Sequence, residues 1–154
     1  MIELNPAIEE ALNKIEFIKR YEELSANFNS EKTPSSERLR YIDGEEVMEM
    51  LQDLGHKPAF DKKEKFYKIE EEQIGIYTFG FHIILRDGMA TFVWVVKENN
   101  QLILGEPWSE YSRELIDINY RIKTPIFGTY EDLEEILKIS FEMYEDFKKA
   151  ITNH

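Results

Sequence analysis

Apolar positions at the start of the chain recur at Ile8, Leu12, Ile15, Ile18, Tyr21 and Leu24, which is helical spacing. Asn5 followed by Pro6 supplies a capping side chain and a proline at the first helical position. The pattern predicts one helix that fades near Asn27 to Asn29. Residues 29–41 are polar with one proline and read as a surface loop. Val47, Met50, Leu51 and Leu54 share one face of a second helix, opened by Asp43 and Glu46 in capping-box spacing and stopped by Gly55. Residues 56–65, with Lys57, Lys62, Lys63 and Lys65, read as a basic connector.

From Phe66 the period changes to that of strands. Lys65 to Glu70, Ile74 to Leu85, Met89 to Lys97 and Gln101 to Leu104 are rich in β-branched and aromatic residues. Asp87-Gly88 and Asn99-Asn100 are hairpin turns, so these segments form an antiparallel meander. A further strand is expected from Asp117 to Lys123 or on to Phe127, with Pro125 marking its end or a sheet edge. Thr129 and Asp132 cap a last helix whose apolar stripe is Leu133, Ile136, Leu137, Phe141, Tyr144, Phe147 and Ile151. Helices, then an antiparallel sheet of four to five strands, then a helix make a single α+β domain over residues 1–154.

The Asp87-Gly88 turn fixes a register that pairs Arg86 with Met89, Ile84 with Thr91, His82 with Val93 and Phe81 with Trp94. One face of the hairpin then carries Tyr77, Phe79, Phe81, Ile83, Phe92, Trp94 and Val96, and must pack on the helices. The other carries Ile76, Thr78, Gly80, His82, Ile84, Thr91, Val93 and Val95, joined by Leu102 and Leu104 if Asn99-Asn100 is the second turn. A half-exposed sheet should alternate apolar with polar residues, yet this second face is also largely apolar. Either the chain's own helix or loops cover it, or it is an interface, with a second copy or with a partner, built on Thr78, His82, Thr91, Val93 and Val95.

The 154 residues include 31 acidic and 19 basic side chains, a net charge of −12. So acidic a chain is not expected to bind nucleic acid, whose affinity rests on Lys and Arg neutralising phosphates. No cysteine is present, which excludes disulfides, thiol catalysis and zinc–thiolate sites. The charge is uneven: −7 over residues 1–55, zero over 56–104 and −5 over 105–154. The acids either solvate outer helix faces or form a surface that steers a basic partner. The start Met1-Ile2-Glu3-Leu4-Asn5-Pro6 has neither a basic n-region nor an apolar h-region, and no apolar run approaches a membrane span. A cytoplasmic protein with no membrane contact is expected.

Reactive constellations are scarce. His56, His82 and His154 have no metal-binding spacing, and no serine stands in a nucleophile elbow. His82, mid-strand among apolar residues, reads as a core or interface histidine, and His56, after a helix C-terminal glycine, as structural. Glu70-Glu71-Glu72 alternate sides of an extended segment and read as a solvated strand end, and Glu134, Glu135 and Glu142 read as solvated on the last helix. No catalytic, cofactor or metal site is assigned, and the chain is read as non-catalytic. The segment from Gly105 to Arg113 has turn chemistry and two large aromatics among acids. Trp, Tyr and Arg are enriched at binding hot spots, so Trp108, Glu110, Tyr111 and Arg113, extended by Tyr120 and Arg121, form a candidate recognition loop. The alternative is that Trp108 and Tyr111 fold back onto the core.

Taken together, an acidic, cysteine-free α+β chain with a meander, a Gly105-Glu106-Pro107-Trp108 loop and a closing Phe127-Gly128-Thr129-Tyr130-Glu131-Asp132-Leu133 helix resembles bacterial polymorphic-toxin immunity proteins. The resemblance covers the architecture, and residues 125–147 best. It assigns no particular family and transfers no functional residue. It implies a protein inhibitor that binds a basic toxin, often a nuclease, through an acidic surface resembling nucleic acid. On this reading the first and last helices and the segment from Trp108 to Arg121 form the contact. The second reading is a homodimeric structural or regulatory domain joined through the apolar sheet face. The third is a ligand-binding or enzymatic domain with His82 in a pocket.

Overall fold

The computed structural model describes residues 3–153 of the chain. Helix α1 spans Pro6–Lys14 and begins as the sequence predicts, with the Asn5 side chain accepting the Ala7 N–H at 2.9 Å. The expected single helix is two. Glu16 takes left-handed backbone angles (φ 56°, ψ 47°), and α2 runs from Phe17–Asn27. The buried residues explain the break. α1 buries Ile8, Ala11 and Leu12, whereas α2 buries Phe17, Tyr21 and Leu24. At 3.6 residues per turn, Phe17 would stand about 180° around a straight helix from Ile8. One straight helix could not bury both sets, and the turn at Glu16 swings the second set inward.

Residues 29–41 form a surface loop containing one 3-10 turn, Ser35–Glu37. Helix α3, Gly44–Asp53, is capped by Asp43, which accepts from the Glu45 N–H at 2.9 Å, and ends before Gly55 at φ 91°. The segment expected as a connector contains a short strand, β1 (Pro58–Asp61), with its proline as the first residue of an edge strand. β2 (Phe66–Ile74) runs longer than predicted, because a bulge between Ile69 and Glu72 absorbs an extra residue. β3 (Tyr77–Arg86), β4 (Met89–Glu98) and β5 (Gln101–Leu104) complete an antiparallel sheet of order β1-β2-β3-β4-β5. Asp87, Gly88, Asn99 and Asn100 all have positive φ, as two-residue hairpin turns require. The β3–β4 register is the predicted one: Arg86↔Met89, Ile84↔Thr91, His82↔Val93 and Phe81↔Trp94.

The strand expected between Asp117 and Phe127 is absent. Asp117 to Tyr120 form a turn, and Ile126 makes an isolated bridge with Met89. The free edge of β4 is already occupied, by β5 and then by a bridge from Pro107 to Val93. The segment read as a recognition loop contains helix α4, Trp108–Leu115. Helix α5, Tyr130–Thr152, starts at Thr129, whose hydroxyl accepts the Asp132 N–H at 3.0 Å. The fold is α+β, with the helices in one layer on one face of the sheet.

That inner face buries Tyr67, Ile69, Phe79, Phe81, Ile83, Phe92, Trp94 and Val96. Its aromatic rings meet the helices directly. Phe81 packs on Phe141 and Tyr144, Trp94 stacks on Phe147 at 4.6 Å, and Trp108 meets Phe17 edge-on at 5.3 Å. Burying a large apolar side chain contributes about 1.5–3 kcal/mol, so this aromatic layer dominates the core.

Candidate interaction surfaces

The sequence-predicted residues are not brought together on one surface. Trp108 and Tyr111 are 1% and 0% exposed, so neither can touch a partner. They fold back onto the core because Trp108, Tyr111 and Ser112 share the buried side of α4. Tyr111 has a specific task there. β5 ends at Leu104, and beside Trp94 no strand residue completes the ladder. The Tyr111 hydroxyl fills that position, accepting the Trp94 N–H at 3.1 Å and donating to the Trp94 carbonyl at 3.2 Å. Burial pushes this hydroxyl well above its ordinary pKa of 10.0, against the opposing pull of its bond to Trp94. Arg113 is likewise structural, donating to the Ile118 carbonyl at 2.9 Å and pairing with Glu110 at 3.0 Å. Tyr120 turns toward α2, and a hydrogen bond with Glu22 raises its pKa. The recognition loop is therefore a helix that closes the core, with Arg113 pinning the loop that follows. Of the two readings of Trp108 and Tyr111, the fold-back onto the core is the one that holds, and their three-residue spacing is that of one helix face.

The three consecutive glutamates are not simply solvated. The bulge sends them in different directions: Glu70 to Lys57 at 3.7 Å, Glu71 to Lys97 at 3.8 Å and Glu72 to Lys148 at 3.2 Å. Lys148 is buried on α5, also pairs with Glu145 at 2.9 Å and lies over the Tyr144 ring. His56 stacks on Phe141 at 3.7 Å, and burial, the largest cause, lowers its pKa. It is therefore a packing group whose surroundings disfavour the charged form. His154 lies outside the described residues.

Two surfaces remain. The first is acidic. α3 lies beside α5, tied at one end by the Asp43 N–H donating to the Tyr130 hydroxyl at 2.9 Å and at the other by the His56–Phe141 stack. Their outer faces carry Glu46 and Asp53 from α3, and Glu131, Glu134, Glu135 and Glu142 from α5, all exposed. Among the described residues none of these six carboxylates is in an ion pair. Lys138 is the base exposed among them on α5. This acidic surface lies on α3 and α5, and of the first helix, the last helix and the Trp108-to-Arg121 segment expected to form the contact it includes only the last helix.

The second surface is the outer face of the sheet. Thr78, His82, Ile84, Thr91, Val93 and Val95 are partly exposed, and Leu102 beside them is 63% exposed, whereas Leu104, expected here, lies past a bulge opposite Val96 and is buried on the inner face. Among the described residues neither helices nor loops cover the outer face, so coverage by these residues does not hold. His82 packs against Phe66 at 4.5 Å. Burial lowers its pKa, with Lys68 acting in the same direction and Glu71 and Asp61 opposing. It stands on an open sheet rather than in a pocket.

A groove of about 1070 Å³ lies between α3 and the ends of β1, β2 and β3. Phe60, Tyr67 and Met48 contribute apolar surface, and bases (Arg40, Lys65, Arg86) balance acids (Asp43, Glu45, Glu49) around it. Among the described residues no three of His, Cys, Asp and Glu converge as metal ligands, and no helix is long and apolar enough to cross a membrane. Compared with protein families, with curated proteins and with solved structures, the chain matches none.

Proposed function

We propose that the chain is a non-catalytic, cytoplasmic binding protein whose acidic helical layer captures a basic protein partner, as a bacterial immunity protein captures a toxin. One observation carries the reading: six exposed carboxylates on the adjoining helices α3 and α5, none of them in an ion pair among the described residues. In a molecule of net charge −12, unpaired charge of one sign on one layer sets up a field that steers a cation-rich surface toward it. Surface carboxylates also present the charge that a nuclease evolved to bind as phosphate, which makes a nuclease toxin domain a suitable partner class.

The test takes as partner the C-terminal domain of any secreted toxin found encoded beside this gene. Its association rate with the chain is measured by stopped flow at low and high salt. Screening shortens the reach of the field to about 3 Å at 1 M salt, so the rate should fall by about tenfold or more. Glu134→Lys combined with Glu135→Lys should slow association at low salt without altering the fold. Equal association rates at both salt concentrations would end the reading.

A further inference from the structure

We propose that the bare outer face of the sheet is a homodimer interface, against which the same face of a second copy packs. The argument begins from the distribution of charge. Two molecules of net charge −12 repel, and most strongly if their helical layers approach. The sheet segment, residues 56–104, holds seven acids and seven bases. Its outer face is therefore where two identical acidic molecules can meet at the smallest electrostatic cost, whereas a basic partner is drawn to the opposite layer.

The shape of the face suits the same occupant. Its centre is Val93 and Val95 on β4 with His82 and Ile84 on β3, flanked by Phe66 and the exposed Lys68 on β2 and by Leu102 on β5. Small β-branched side chains allow two sheets to pack flat, about 10 Å apart. Between the centre and one end lies Gly80, where an added side chain would touch Val95 and Glu71. Glu71 and Lys97 reach toward each other over this glycine from β2 and β4 at 3.8 Å. A two-fold axis running along β3 between the packed sheets lays β2 of one copy over β4 of the other. Each Glu71 then gains the second copy's Lys97, and the reverse, so the face is complementary to itself in charge as well as in apolarity.

Sedimentation velocity over a range of protein and salt concentrations tests the proposal. The wild type should be a reversible dimer at roughly 100 µM, the regime of small interfaces. Raising the salt should strengthen it, because screening weakens repulsion between two acidic bodies. That is opposite to the salt response of the basic-partner complex, so the two readings fail separately. Val93→Glu should weaken dimerisation at least tenfold, and Glu134→Lys should leave the sheet face dimer intact. Because the chain has no cysteine, His82→Cys, on β3 at the axis, provides a second measurement: oxidation should link two copies through it, whereas Glu134→Cys should give little linked product. A wild type that stays monomeric at every salt concentration, or a His82→Cys that links no faster than Glu134→Cys, would overturn the proposal.

Discussion

Val93 and Trp94 are neighbours on β4 and face opposite surroundings. Trp94 is fully buried, stacked on Phe147 and edged by Phe17, Phe81 and Trp108. Val93 stands partly exposed on a face with no helix over it. Both sides of the hairpin are apolar, so hydropathy alone does not separate them. Side-chain size does. The covered face uses Phe, Trp and Tyr, whose area rewards burial under helices. The bare face uses Val, Thr, Ile and Gly, which leave a shallow surface.

The largest expected effect tests this contrast directly. Trp94→Ala should destabilise the fold by about 3–5 kcal/mol, the range for emptying a packed aromatic site. Val93→Thr, one residue away, should cost less than about 1 kcal/mol. Urea denaturation at low protein concentration measures both. Similar costs at the two positions would mean that the faces do not differ as described. A somewhat smaller effect is expected at the edge of the inner face. Tyr111→Phe removes one hydroxyl and leaves the Trp94 N–H and carbonyl buried without partners, at about 2–4 kcal/mol in all. If Tyr111→Phe unfolds at the wild-type urea concentration, the hydroxyl does not complete the ladder.

The smallest effect sharpens the comparison through the two described histidines, one on each side of the sheet. His56 lies against Phe141 in the helical layer, and His82 lies on the bare face. Burial is the main cause holding both below the ordinary value of 6.5. The unfolded chain therefore takes up protons first as the pH falls, and stability declines from about pH 6.5 downward until the folded pKa values are passed. Melting temperature between pH 7.5 and 5.5 should carry this slope, and His56→Phe with His82→Thr should flatten it. Unchanged slopes in the double variant would assign the pH dependence to other groups.

Much of the architecture was legible in the sequence because its signals are local. Asn5-Pro6, Asp43 and Thr129 start helices where expected, and Asp87-Gly88 sets the β3–β4 register residue by residue. The misreadings share a different cause. The break at Glu16 follows from where Phe17 must go, which depends on the tertiary layer and not on the period of either half. β1 is four residues long and pairs only because β2 presents an edge. The Asp117–Phe127 strand lacks a free edge to join. The aromatics of α4 left two readings open because hot-spot residues and core residues are the same types, and only burial separates them. The acidic surface was legible as a charge imbalance, but the adjacency of α3 and α5 was not, since it depends on a contact between Asp43 and Tyr130 far apart in sequence.

The placement of the tryptophans has an optical consequence. Both of the chain's indoles, Trp94 and Trp108, lie inside the aromatic layer with ring centres 5.2 Å apart, and their buried N–H groups find no hydrogen-bond partner among the described residues. Indoles buried in an apolar layer emit to the blue, and a pair this close exchanges excitation energy. Intrinsic fluorescence and near-ultraviolet dichroism therefore follow the interior of this molecule and shift strongly when it unfolds. A partner settling on the carboxylates or a second copy closing over Val93 leaves those indoles in the same surroundings and the spectra nearly unchanged. Association at either surface has to be followed by a label placed outside, and the cysteine-free sequence leaves a free choice of where to attach one.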